Sequence, residues 1–288
     1  MRECLSSSSN DAKHAIATVS ILLLLLGSIR HARAQQETDD EMEFSYRRGD
    51  DDGPERWGQI RRDWATCSYG RRQSPIHLSS AGDYSHRRRI PGRIVRSYRP
   101  AAAALVNRGH DIMVRFEGEA GGVVVDGVAY RLRQMHWHSP SEHAVDGRRY
   151  DLELHMLHQS ETNGRYAVVA QLFEVGRHHR DATLDTLEPY IRRVAKKRKG
   201  HEVEIEDEVD PRWPVGGSGV YYRYKGSFTT PPCTEGITWA VARNVRRVSR
   251  EQVELLREAV HDGARRNARP LQEANGRAVG VYYCWPNS

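Results

Sequence analysis

From residue 94 onward the chain reads as strand after strand. Residues 94–98, 104–106, 111–117, 123–125 and 129–134 are short, rich in β-branched side chains and separated by Gly, Asn or Asp. β-Branched side chains suit a pleated surface, and the turn residues let each strand fold back on the one before. Hairpins and meanders in a largely antiparallel sheet are therefore predicted. Residues 166–173 form one apolar run, so that strand is expected near the sheet centre, buried on both faces. Two segments are helical instead. In residues 183–196, Leu184, Leu187, Ile191 and Val194 recur at steps of three or four, with Pro189 as an interior residue able to kink the helix. Residues 249–261 start with Ser249 and carry Gln252 three positions on, a capping box, with Gly263 as the expected stop.

Residues 1–34 stand apart. A loosely basic start leads into an apolar stretch through Leu26 and ends in Ala32-Arg33-Ala34, an A-x-A cleavage pattern, so a signal peptide is expected and Gln35 should begin the mature chain. The apolar run is too short to span a bilayer comfortably, and no later stretch is expected to be an integral membrane span. The expected location is the secretory route: extracellular or apoplastic, or another compartment reached that way. Residues 35–43 are acidic and polar and are expected to be a disordered tail. No repeat or linker divides residues 44–285, which predicts one domain.

The formal net charge is +6, and +4 remains once the leader's four basic and two acidic residues are removed. The basic runs at 87–89 and 192–199 have no interleaved aromatics and read as solvated faces, so no nucleic-acid partner is expected. Cys67, Cys233 and Cys284 remain after the leader is lost. In an oxidising compartment two should bridge and one is left over, free or cross-linking two chains, which leaves monomer and dimer both open. No Asn-x-Ser/Thr sequon occurs.

Gln134-Met135-His136-Trp137-His138 concentrates the chemistry. Alternate residues of a strand share a face, so His136 and His138 point the same way, and His155 could supply a third nitrogen from a paired strand. Three neutral imidazoles leave a tetrahedral Zn²⁺ one open position, as in catalytic zinc sites. An H-x-H pair alone is more often a pair of packed or surface histidines than a ligand set, and these segments by themselves leave that reading open.

Further motifs recur in order: Gly53-Pro54-Glu55 before Trp57, Gln73-Ser74-Pro75-Ile76, Asn107-Arg108-Gly109-His110, Ser141-Glu142-His143, Gly226-Ser227-Phe228-Thr229-Thr230-Pro231-Pro232-Cys233, Ile237-Thr238-Trp239, Ser249-Arg250-Glu251-Gln252 and Asn267-Ala268-Arg269-Pro270-Leu271-Gln272. With the histidine segments they make the chain, from Tyr46 to about Tyr282, closely resemble the α-class carbonic anhydrases, most of all the secreted plant and bacterial members. The resemblance implies a mainly β, single-domain fold on a large twisted, mostly antiparallel central sheet with a few peripheral helices. It implies a Zn²⁺ cofactor on His136, His138 and His155, and reversible hydration of CO₂ to bicarbonate and a proton by zinc-bound hydroxide. Gln134 and Glu153 would orient the ligand N–H groups. Thr229 would accept the hydroxide's hydrogen bond and pass its own proton to Glu142, acting as an ionised acceptor. Leu157, Val168, Phe228, Thr230 and Trp239 would form the substrate pocket. His110 would shuttle protons to solvent, with Tyr46 ordering the water chain, and Cys67 would pair with Cys233. Arg108, Asp111 and Met113 depart from the fastest animal enzymes, which carry two Asn and a small residue there. The alternative is a secreted storage or binding relative with slow or no catalysis.

Overall fold

The computed structural model describes residues 44–80, 94–196, 201–215, 219–260 and 265–283. Its strands are β1 (His77–Leu78), β2 (Ile94–Arg96), β3 (Ala103–Asn107), β4 (Ile112–Phe116), β5 (Gly122–Val125), β6 (Val128–His138), β7 (Ala144–Val145), β8 (Arg148–Arg149), β9 (Leu152–Gln159), β10 (Tyr166–Val175), β11 (Glu202–Glu204), β12 (Val220–Ser227), β13 (Glu235–Val248) and β14 (Gly280–Tyr283). Helices α1 (Trp57–Ile60), α2 (Thr66–Tyr69), α3 (Ala182–Ala195) and α4 (Arg250–Ala259) flank them. The large sheet runs β11-β3-β4-β6-β9-β10-β13-β12-β14, with β5 also on β6 and β2 on β5. Every pairing in it is antiparallel except β10 with β13. The mainly β, largely antiparallel expectation holds, and β10 lies well inside the sheet as its apolar run requires.

One irregularity decides what each sheet face carries. Between Leu132 and Gln134 the β6–β9 register shifts, leaving Arg133 without an opposite residue. Before the bulge Tyr130 and Leu132 point into the main apolar core; after it Met135 and Trp137 do, joined by Leu152, Leu154 and Met156 of β9. A strand has period two, so without the extra residue His136 and His138 would face that core. With it, Gln134, His136 and His138 lie opposite Leu157, His155 and Glu153 on the other face. Leu157, Val168, Leu172, Phe228, Trp239 and Val241 form a second apolar cluster.

Helix α3 packs Leu184, Leu187, Ile191 and Val194 into the main core and runs through Pro189 unbroken. Its cap is Asp181, whose carboxylate accepts from the N–H groups of Thr183 and Leu184. The capping box of α4 is present, with Ser249 and Gln252 bonded reciprocally at 3.1 Å. Strands β12 and β13 and the short helices at 57–69 were not predicted. In β12 and β13, charged residues such as Arg223, Lys225, Arg246 and Arg247 interrupt the apolar signal on the more exposed side. The expected signal peptide, acidic tail, helix stop at Gly263, Arg87–Arg89 run and Cys284 lie outside the described residues. Among the described residues no helix is long and apolar enough to cross a membrane.

His158 sits on the core side of β9, fully buried. Its Nε2 accepts from the Tyr98 hydroxyl at 2.9 Å and its Nδ1–H points at the Ala167 carbonyl, 3.3 Å away. Burial pushes its pKa down to about 4. The folded state thus binds a proton less readily than the unfolded state, so this residue's contribution to stability is intact above pH 6.5 and lost as pH falls toward 4, at a cost of about 3 kcal/mol. In urea unfolding across that window, His158→Gln should flatten the pH slope by about 1.4 kcal/mol per unit; parallel slopes for variant and parent would contradict this account.

Candidate active site

The imidazoles of His136, His138 and His155 converge, each offering a nitrogen within 4.8 Å of the others, and all three residues are buried. Ring centroids of His138 and His155 are 4.5 Å apart. What orients them is the bond each makes with its other nitrogen. His136 Nδ1–H donates to Gln134 Oε1 at 2.8 Å, His138 Nδ1–H to the Asn267 carbonyl at 2.7 Å, and His155 Nε2–H to Glu153 Oε1 at 2.9 Å. Each bond fixes a tautomer and leaves a lone pair turned to the common point: Nε2 of His136 and His138, Nδ1 of His155. His138 Nε2 is buried without a hydrogen-bond partner. Burial, with the charge of Arg108, holds His136 well below the ordinary histidine range, and burial with His138 nearby lowers His155. Neutral imidazoles with inward lone pairs fit a borderline cation such as Zn²⁺, Cu²⁺ or Co²⁺ and suit Mg²⁺ or Ca²⁺ poorly.

Glu153 is the hub behind this set. Besides His155, it accepts from His143 Nδ1–H at 2.6 Å and the His143 main-chain N–H at 2.8 Å. Burial opposes its ionisation, but the interactions with His143 and His155 outweigh burial and hold its carboxyl well below the usual range. The chain continues from His143 Nε2 to the Tyr224 hydroxyl and on to Ser74 Oγ, both at 2.8 Å. The hydrogen bonds expected of Gln134 and Glu153 are present, whereas the sequence motifs suggested no role for Asn267, His143 or Arg269. Asn267 does most: beyond its carbonyl on His138, its side chain donates to the carbonyls of His110 and Trp137 and accepts from Ser139 N–H.

Glu142 is fully buried. Its Oε1 accepts from the Arg269 main-chain N–H at 2.8 Å; its Oε2 has no partner and stands 3.8 Å from His138 Nε2 and 4.0 Å from His155 Nδ1. Thr229 and Thr230 are both buried, and among the described residues Glu142 Oε2 accepts no hydrogen bond, from Thr229 or otherwise. Arg269 is held by Gln73 Oε1, the Ser74 carbonyl and the Cys67 carbonyl, with its guanidinium over the Trp57 ring. The Cys67–Cys233 disulfide is present, Cα atoms 5.0 Å apart, and Cys233 N–H donates to the Thr230 carbonyl. It thus ties the 229–233 loop to the Arg269 anchor.

Leu157, Val168, Phe228 and Trp239 share one cluster, and the Trp239 ring lies 4.8 Å from that of His155. His110 is not a surface histidine. It is 3% exposed, its ring 4.7 Å from Phe44 and 5.6 Å from Tyr46.

Three imidazoles on the face of a mainly antiparallel sheet, each backed by its own acceptor, define the class: a β protein of the carbonic anhydrase type with a site that could hold a metal ion. A family model described as eukaryotic-type carbonic anhydrase matches residues 52–283. Alpha carbonic anhydrase 7 of Arabidopsis thaliana is 47% identical over 253 residues, covering 87% of this chain and 89% of the relative. Dioscorin dioA3 of Dioscorea japonica is 44% identical over 257 residues, covering 89% and 92%. A crystal structure of dioscorin complexed with ascorbate superposes with a TM-score of 0.77 at 43% identity, covering 84% of this chain and 99% of that one. The chain belongs to the α-carbonic anhydrase family, whose members include zinc enzymes.

If the backing acceptors set the tautomers, Glu153→Gln should weaken metal binding by about 10- to 100-fold, whereas His155→Ala should abolish it. Competition against a chromophoric zinc chelator reads both; unchanged affinity in Glu153→Gln would remove that residue from the metal's support.

Proposed function

We propose that this protein is a zinc lyase interconverting CO₂ and bicarbonate. The observation that carries the reading is the convergence of three individually oriented imidazoles beside the carboxylate oxygen of Glu142 that has no hydrogen-bond partner. Held by those imidazoles, Zn²⁺ would act as a Lewis acid that makes hydroxide available near neutral pH. The chain's own groups do the rest. Leu157, Val168, Phe228 and Trp239, with Thr230 at the edge, hold CO₂ against the site by contact alone, so the weakly polar substrate is not fixed in an unreactive pose. Glu142 Oε2 is an acceptor held for a hydroxyl donor. When Thr229 donates to it, the Thr229 oxygen can only accept from the attacking oxygen, which aims that oxygen's lone pair at carbon. Water plus CO₂ gives bicarbonate and one proton, and His110, with Tyr46 beside it, carries the proton outward.

The leader-like residues 1–34 and the disulfide together support a secretory-route location, extracellular or apoplastic. A second reading, a storage or binding protein with slow or no catalysis, draws on the similarity to dioscorins. Retention of all three histidines together with Glu142 and Thr229 favours the enzyme.

Stopped-flow CO₂ hydration on the oxidised chain, with zinc counted on the same sample, separates the two. The enzyme reading expects a rate abolished by a chelator and restored by Zn²⁺. It also expects His155→Ala to lose metal and activity together, and His110→Ala to keep metal, lose rate about 10-fold or more in weak buffer, and recover with imidazole. Stoichiometric zinc with negligible hydration would select the storage or binding reading instead.

A further inference from the structure

The chain carries its positive charge almost wholly as arginine. Its lysines are Lys13, Lys196, Lys197, Lys199 and Lys225, and among the described residues Lys225 is the only one within a strand. On β12, Tyr222 and Tyr224 belong to the apolar cluster beside the histidines, so Arg223 and Lys225 take the opposite face. Lys225 lies opposite Thr238 on β13, and Thr238 opposite Ala167 on β10; Arg165 stands two residues before Ala167. Lys225 is exposed, yet its Nζ donates to Oγ1 of the buried Thr238 at 2.5 Å. The acids of this region are engaged elsewhere. Asp126 accepts from Arg223 Nη1 at 2.7 Å, and Glu161 of the β9–β10 turn pairs with Arg131. Among the described residues neither Lys225 nor Arg165 makes an ion pair, and the two sit close enough for Arg165 to act electrostatically on the Lys225 amine.

We propose that Lys225 is a modification site for CO₂, its amine forming a carbamate that the guanidinium groups of Arg165 and Arg223 stabilise. The lone pair of the neutral amine attacks the carbon of CO₂. An N–C bond forms, one C–O π pair moves onto oxygen, and the nitrogen releases a proton to water, leaving –NH–COO⁻. One N–H remains, so the bond to Thr238 Oγ1 survives the change. Attack requires the unprotonated amine, and a lysine beside other cations is activated in that sense, whereas an arginine stays protonated and cannot react. Partial burial lowers the Lys225 pKa most, Arg223 and Arg165 lower it further, and Asp126 opposes them. These charges reach the amine from β12, from the start of β10 and from the β5–β6 turn, while Arg277 donates to the Lys225 main-chain carbonyl. The product reverses the charge, so the guanidinium groups that disfavour the ammonium favour the carbamate. A row of mutually repelling cations becomes a bridge between β12 and the β9–β10 hairpin. Neither zinc nor turnover enters this step, which therefore stands apart from the lyase reading.

The test holds the oxidised, zinc-loaded chain at a fixed pressure of isotope-labelled CO₂, traps carbamates as alkyl esters with a trialkyloxonium salt, and locates them by peptide mass spectrometry. Label should collect on Lys225 in preference to Lys196, Lys197 and Lys199, and should appear there at lower pH than on those three. Lys225→Arg, which keeps the charge and loses the nucleophile, should remove it. Arg165→Gln should lower it severalfold, because loss of that cation both raises the amine's pKa and weakens the product; both positions are exposed, so the variants should fold. The chelator-treated, zinc-free chain should carry the Lys225 label undiminished, so failure of the zinc reading and failure of this proposal are told apart. An unlabelled Lys225, label spread evenly over the four lysines, or a Lys225 label indifferent to Arg165→Gln would overturn the proposal.

Discussion

The residue with no opposite number on β9, Arg133, determines what the sheet can do. Upstream of it the even-numbered side chains of β6 feed the main core; downstream the odd-numbered ones do, and His136 and His138 are released to the face shared with His155 and Glu153. Two imidazoles turned into an apolar core would be buried polar groups with nothing to bond. Turned the other way they meet one another, each with an acceptor behind it. The bulge costs some ladder hydrogen bonding and yields a change of face within a single strand.

Much of the remaining construction keeps that face polar where it must be and dry elsewhere. Glu153, Gln134 and the Asn267 carbonyl settle the proton positions of the three rings, so the inward lone pairs are fixed by bonds made on the outside. Glu142 is held at one oxygen by the Arg269 main chain, and Arg269 is held by the segment that contains Cys67. In the chain-entropy model a disulfide closing a loop of 166 residues contributes on the order of 5 kcal/mol. Here it also links the 229–233 loop to the group that positions the carboxylate, so fold stability and site geometry share the same covalent bond.

The sequence made the fold class legible because β-branched runs and turn residues alternate plainly between residues 94 and 173. The two long helices were legible because Leu184, Leu187, Ile191 and Val194, and the Ser249–Gln252 box, are local signals. Strands β12 and β13 were missed because their Arg and Lys residues mask the alternation. The three histidines were legible as a group through spacing and family resemblance, but the parity switch at Arg133 was not, since a bulge is defined only by the opposite strand. Nor was the burial of His110: Phe44 and Tyr46 reach it from more than sixty positions away. Asn267 works through its backbone carbonyl as much as its side chain, and backbone acceptors leave no mark in a sequence.

Two overlapping donor sets lie in this pocket, His136–His138–His155 and His143–Glu153–His155, and the two use opposite sides of the His155 ring. The hydrogen bonds to Glu153 reserve the second set for support, which is the central claim of this account. X-ray absorption at the zinc edge, on protein loaded with one equivalent of Zn²⁺, addresses it directly. The account predicts a four-coordinate ion with three imidazole nitrogens and one further light atom. Two imidazoles with a carboxylate, or no stoichiometric binding, would contradict it.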